Sequence, residues 1–424
     1  MSGQMTGAEM HALVARLYPL CRSITGDGLR ATLGVIGEHL PLTVHEVPTG
    51  TQVLDWTIPQ EWNIRDAYIK DASGRRVVDF RRSNLHVVGY SEPVSATMTL
   101  DELRPHLHTL PEQPDLVPYR TSYYARTWGF CLSQRTLDAM GDGPYEVVID
   151  STLADGSLTY AEHVVPGQTG DEVMISCHVC HPSLANDNLA GIAVAVALAR
   201  SLERPRHTYR FLFAPGTIGA ITWLARNRER VGRIKHGLTL ACAGDSGRLT
   251  YKRSRRGDAA IDRAATLVLK GRPHRVLPFT PYGYDERQFC SPGFDLPFGS
   301  LTRTPYAQYP EYHTSGDDLD FVTPAALEDT LDALQAITGV LEGDRTYLNL
   351  SPYGEPQLGR RGLYDSLGGR SDTKQAQLAM LWVLNLSDGS KSLLDIAERS
   401  DLPFAALRAA ADALLAAGLL KETG

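Results

Sequence analysis

Apolar residues recur at two spacings along this chain, and the changes between them mark its parts. Leu13, Leu17 and Leu20 form one helical stripe, and Leu29, Leu33, Ile36 and Leu40 form a second. They predict two helices over residues 8–40. Between them lies the polar, glycine-bearing break Cys21-Arg22-Ser23-Ile24-Thr25-Gly26-Asp27-Gly28. It reads as a turn, with a loop that meets an anionic group through Arg22 as the alternative. Residues 49–116 change to short strand-like runs: 53–59, 62–70, 77–80 and 85–90, with Asp71-Ala-Ser-Gly74 as a hairpin-type turn. These predict a small β unit inserted into a larger body, at a kind of position that often shapes a site mouth.

From Tyr119 strands and helices alternate. Tyr145–Ile149, 156–165, 173–175, Tyr209–Phe213 and Gly237–Cys242 read as strands, while 191–199, Ile218–Arg226 and Ala259–Lys270 read as helices. Such alternation predicts an α/β body with a mixed, mainly parallel sheet and helices on both faces. After Asp344 the pattern becomes three helices with a short tail, which suggests a winged-helix-like module. The expected organisation is a discontinuous α/β domain (1–48 and 117–345), a small β domain (49–116) and a winged-helix-like domain (346–424).

Composition narrows the function classes. At 424 residues the chain exceeds one ordinary core. Its net charge of -7 disfavours a nucleic-acid partner. The winged-helix-like segment 362–424 carries six Lys/Arg against eight Asp/Glu, and its third helix carries only Arg408, which favours a structural or interaction role over DNA reading. No apolar stretch approaches a membrane span, and the N-terminal residues lack a secretory pattern. Six cysteines in a chain this long make no disulfide framework. A cytoplasmic protein acting on a small molecule or short peptide-like substrate is expected, with self-association as a further expectation.

The chemistry gathers at one stretch. The buried run Val173–Ile175 leads to His178 and His181, then Pro182-Ser, then Asn186-Asp187-Asn188 and a helix from Gly191. Imidazole and carboxylate at the carboxyl end of a strand suit a cation such as zinc. The plainer reading is a loop histidine and an Asx helix cap. Asp245 in Ala-Gly-Asp-Ser-Gly and His313 in Glu-Tyr-His-Thr-Ser-Gly-Asp317 supply two further ligand types.

Taken with these residues, the chain resembles the bacterial M28-type zinc aminopeptidase-like proteins that carry an inserted β domain and a C-terminal winged helix. The resemblance rests on Cys-Arg-Ser-Ile-Thr-Gly (21–26), Trp56 to Ile69, Trp-Gly-Phe-Cys (128–131), the His178–Gly191 stretch, Ser-Arg-Arg-Gly (254–257) and Tyr-His-Thr-Ser (312–315). It implies metal ligands at His178, Asp187, Asp245 and His313. It also implies a general-base glutamate and a further carboxylate ligand where this chain has Gly216 and Thr217. Their loss predicts one zinc ion rather than two. It also removes a group that contributes roughly 10²–10⁴ in rate.

Replacement carboxylates are sought in Glu286 and Glu311, each with an ordinary surface or salt-bridge role as the alternative. Cys177 and Cys180 stand beside the proposed cation, as ligands or as packed thiols. His181 is a candidate ligand or substrate contact, and Arg22 and Arg255 are candidate substrate contacts. The basic run Lys252-Arg-Ser-Arg-Arg suits a carboxylate or phosphate, or is a solvated loop. Three functions stay open: a zinc hydrolase acting on an amide bond, a diverged metal enzyme of a biosynthetic pathway, and a non-catalytic binding or scaffold protein.

Overall fold

The strand Glu172–His178 is buried along its whole length, and the first unit is organised around it. The structure, a computed structural model, describes residues 4–363 and 370–423. Parallel neighbours flank this strand on both sides, Thr208–Ala214 and Ile234–Leu240. A strand covered on both faces needs a nearly unbroken apolar sequence, which Val173 to Cys177 provides. The complete sheet has eight strands, in the order 43–48, 157–165, 208–214, 172–178, 234–240, 298–302, 249–252, 274–277. Pairing is parallel over 208–214, 172–178, 234–240 and 298–302, and antiparallel where 43–48 and 157–165 join.

From strand 172–178 the chain passes to one neighbour, then crosses to the other. That reversal opens a crevice at the carboxyl ends of the strands, where open α/β sheets place ligands. The helix Gly191–Ser201 follows. Its run of Ala, Val and Ile is apolar all round, so it is buried over nearly its whole length.

The predicted pair of helices is Gly7–Leu17 and Asp27–Gly37. The first starts on a capping box in which Thr6 and Glu9 bond reciprocally. The break between them turns at Gly26, whose φ of +94° suits glycine alone.

The inserted β unit differs from the expectation in two ways. Residues 85–90 are not a strand: Asn84–His86 is a single tight helical turn, capped by Ser83 Oγ on the Leu85 amide. The small sheet orders its strands 76–79, 61–70, 145–154, 94–98, all antiparallel. One of its two central strands, Tyr145–Ala154, therefore comes from outside 49–116. The insert cannot close its own apolar face, and Trp62, Ala67, Ile69, Val147 and Ile149 share one continuous core with Leu158, Met174, Leu212 and Phe298 of the large sheet.

Compact packing divides the chain into 1–259 with 272–334, and 260–271 with 335–424. The second unit holds helices Arg370–Leu386, Leu393–Ser400 and Phe404–Ala416, and a three-stranded antiparallel sheet in the order 388–392, 346–349, 420–422. The helix Ala260–Leu269, expected in the body, also belongs here. Its Arg263 reaches Asp395 at 2.7 Å and Glu398 at 2.6 Å, and Leu267 packs on the apolar core of this unit. Arg408 is paired with Asp412 one turn along the same helix.

Candidate metal centre

His178 is the last residue of the central strand, and its imidazole Nε2 lies 2.7 Å from Asp187 Oδ1. The other oxygen of the same carboxylate, Oδ2, lies 3.1 Å from His313 Nε2. Asp187 thus spans two imidazoles, and it is 1% exposed. His181 stands alongside, its ring centroid 4.9 Å from that of His178 and 5.2 Å from that of His313. Ligand atoms of His178, His181 and Asp187 all lie within 4.8 Å of one another. His181, read in the sequence as a ligand or a substrate contact, stands within the cluster itself.

Several segments hold this geometry. Asp317 accepts the backbone amides of Asn186 at 2.5 Å and Asp187 at 3.0 Å, which fixes the loop that carries the bridging carboxylate. Asn188 ties that loop to the end of the neighbouring strand through the Leu240 carbonyl. His313 has φ of +54°, a left-handed conformation uncommon for a residue other than glycine. It is held there by the Tyr119 amide, which donates to its carbonyl at 2.8 Å, and by stacking on Tyr312 at 3.9 Å. Tyr284 stacks on His178, and Tyr119 packs edge-on against His313.

The electrostatics favour a cation. Burial alone raises the Asp187 carboxyl, but His178, with the hydrogen bonds from His178 and His313, outweighs it and holds the group well below the ordinary range. Burial disfavours the charged form of His178, and Asp187 more than offsets this and raises its pKa. Burial pushes His181 down to about 3, so it is neutral and its lone pair is available to a metal. An ionised carboxylate with converging imidazoles is a donor set that fits a borderline dication.

Asp245 is the correction to the expected ligand set. It is buried, but its oxygens are taken by other partners: Oδ1 accepts Gly247 N at 2.7 Å and Thr304 Oγ1 at 2.6 Å, and Oδ2 accepts Asn186 Nδ2 at 3.0 Å and Thr304 N at 3.1 Å. It braces Asn186, the residue before the bridging aspartate. Nearer the end of the same strand, Cys242 meets Tyr284 Oη at 3.0 Å and Tyr309 Oη at 3.4 Å. Burial pushes that thiol well up, so it is protonated. Asp245→Asn is expected to keep the bound-cation stoichiometry at saturation while weakening affinity by about 10–100-fold, the usual cost of losing an outer support. Metal analysis and cation titration of the variant check this.

The remaining candidates separate as follows. Glu286 is fully buried and paired with Lys252 Nζ at 2.7 Å. The carbonyl of Glu311 accepts the Thr314 amide and hydroxyl, so this residue shapes the turn beside His313. Arg22 is 1% exposed and donates to the carbonyls of His181 at 2.9 Å and Leu17 at 2.6 Å. It positions the His181 loop from the 21–28 break. Arg255 and Arg256 pair with Asp295, and Lys252 with Glu286, so much of the basic run is neutralised internally. The thiols of Cys177 and Cys180 are buried and raised by burial, the second to about 12. Cys180 Sγ lies 3.4 Å from His181 Nδ1, and Cys177 Sγ lies 3.6 Å from the Gly191 carbonyl. Sequence reasoning missed Asp317 as a support and Asp285 altogether. The carboxylate of Asp285 is buried beside Gly216 and has no hydrogen-bond partner among the described residues.

Residues 11–344 match the family described as a domain of unknown function (DUF4910), and residues 345–422 match winged helix-turn-helix. The chain is 50% identical over 420 residues to a Clostridium acetobutylicum protein provisionally named a polysaccharide biosynthesis protein with aminopeptidase-like domain. That match covers 98% of this chain and 96% of that protein. A crystal structure of a provisionally named peptidase from Clostridium acetobutylicum superposes with a TM-score of 0.94, at 48% identity over 98% of this chain and 96% of that one. BSAP, a zinc aminopeptidase from Bacillus subtilis, matches with a TM-score of 0.58 at 11% identity, over 78% of this chain and 94% of that one. This last likeness is one of fold. The chain belongs to the DUF4910 family, built on the fold of the M28-type zinc aminopeptidases and followed by a winged helix-turn-helix domain.

Proposed function

We propose that this chain is a zinc-dependent, aminopeptidase-like hydrolase that cleaves an amide bond in a small amino-acyl or peptide-like substrate. The observation that carries the reading is the buried Asp187 carboxylate spanning His178 and His313, with His181 beside it. The four residues would hold a single zinc ion. Zinc in such a site lowers the pKa of a bound water and polarises a carbonyl. Asp187 and the imidazoles orient that centre, Asp317 and Asn188 fix their loop, and Tyr119, Tyr284 and Tyr312 pack against the imidazole rings. Tyr284, which stacks on His178, also lines a cavity of about 250 Å³ whose wall is mainly apolar, with Leu277, Pro278 and Pro305 beside the polar Lys252 and Glu286, and this space supports a small substrate. No two of the six cysteines form a disulfide among the described residues, which supports a reducing, cytoplasmic setting.

A second reading, a metal enzyme of a biosynthetic pathway, is favoured by two observations. Gly216 and Thr217 stand where an aminopeptidase is expected to carry carboxylates, and the Clostridium acetobutylicum relative is provisionally named for polysaccharide biosynthesis. Metal analysis of protein purified without chelator, followed by a panel of aminoacyl 4-nitroanilides, separates the readings. About one zinc per chain with amide cleavage supports the first. Zinc without cleavage supports the second, and no zinc at saturating concentrations overturns both.

A further inference from the structure

The centre has one carboxylate, Asp187, against three imidazoles, and the residue that faces His178 after the strand Thr208–Ala214 has no side chain. A Cβ on Gly216 would lie 3.1 Å from His178 Cβ and 3.5 Å from Asp285 Oδ1. A carboxylate from a different segment therefore borders the space that a side chain at 216 would enter. Asp285 is 1% exposed, and neither of its oxygens has a hydrogen-bond partner among the described residues. Burial raises its carboxyl to about 7 against the pull of His178. The adjacent Glu286 contrasts with it, because Lys252 neutralises that group. A buried, unpaired carboxylate is strongly disfavoured unless a partner arrives in the working protein.

We propose that Asp285 is the proton-accepting carboxylate of this centre, reaching from the turn after Tyr284 into the space that Gly216 leaves open. This rests on the amide-hydrolysis reading. As the oxygen of the attacking water bonds to the amide carbonyl carbon, its proton passes to Asp285. As the C–N bond breaks, that proton passes to the leaving nitrogen. The acid and amine products account for every atom, and Asp285 ends ionised. Glycine at 216 follows from the same arrangement, because a larger side chain there would compete with Asp285 for one space.

Five proteins test this: wild type, Gly216→Glu, Asp285→Asn, the double variant, and Asp187→Asn as the ligand control. Each is measured for zinc Kd by calorimetry, metal-free Tm, and turnover of aminoacyl 4-nitroanilides with zinc. Asp285→Asn is expected to keep the zinc Kd within about threefold while losing about 10²–10⁴ in turnover. Gly216→Glu is expected to lower the metal-free Tm, and Asp285→Asn to return much of that loss in the double variant, since neighbouring groups are non-additive. Turnover is expected to recover in the double variant.

Zinc binding weakened by Asp285→Asn as much as by Asp187→Asn would make Asp285 a ligand and overturn the proposal. So would unchanged turnover in an active enzyme, or strictly additive Tm changes. A wild type that binds zinc yet cleaves nothing overturns the amide-hydrolysis reading, and the proton-acceptor role with it.

Discussion

Asp187→Asn is expected to weaken zinc binding by about 10²–10⁴-fold, the scale of the ~3–5 kcal/mol that follows loss of one partner from a buried charged cluster. The substitution keeps the size of the side chain and leaves the backbone amide that Asp317 accepts, so the loop remains supported. What is lost is the only charge among the described residues that both His178 and His313 face at hydrogen-bond distance. An amide presents one acceptor and one donor, so it serves one imidazole and opposes a cation with the other end. Turnover of any substrate is expected to fall with zinc occupancy. Zinc titration of wild type and variant reads the effect directly, and equal affinities would remove Asp187 from the centre.

The same pair sets a pH dependence. Burial lowers the His178 pKa, but Asp187 outweighs it and raises the group above its ordinary value. A raised histidine stabilises the metal-free fold fully below about 6.5, and that contribution is lost as pH rises through the folded value. Zinc must displace the same proton, so wild-type affinity is expected to climb through this window. In Asp187→Asn the window narrows, because the carboxylate that held the proton is gone. Calorimetry at pH 6 and pH 8 on both proteins checks the sign.

Arg210→Met is expected to destabilise the first unit by about 3–5 kcal/mol, because it strands two buried carboxylates. Arg210 lies within the sheet and contacts Glu162 at 2.7 Å and Glu172 at 2.7 Å, with all three side chains at 7% exposure or less. Glu162 also accepts the Trp223 indole at 2.8 Å, so the network fixes the helix Ile218–Arg226 behind the Gly216 turn. Methionine fills the arginine stem but carries no charge. Denaturant unfolding reads the loss, and adding Glu162→Gln and Glu172→Gln is expected to return part of it by removing the stranded charges. Unchanged stability in Arg210→Met would mean that the network contributes nothing net.

Local pattern carried much of the fold. The stripes over 8–40, the buried run before His178, the small-apolar helix after Gly191 and the three tail helices are all set by residues near one another in sequence. Periodicity failed where partners are distant. Residues 85–90 have strand-like composition but no continuous edge to pair with, and Tyr145–Ala154 joins the small sheet because that sheet needs another strand.

The centre divides along the same line. His178, Asp187 and His313, which the structure brings together, were singled out by a strand end followed by an Asn-Asp-Asn turn and by a later Tyr-His-Thr-Ser. Asp245 looked equivalent, for a carboxylate after a strand has the same composition whether it faces a cation or a neighbouring threonine. Only tertiary structure showed that Thr304, Gly247 and Asn186 use its oxygens. Asp285 is the converse. Its isolation arises from what folding packs around it, and its nearness to Gly216 joins segments about seventy residues apart, a relation that no local pattern encodes.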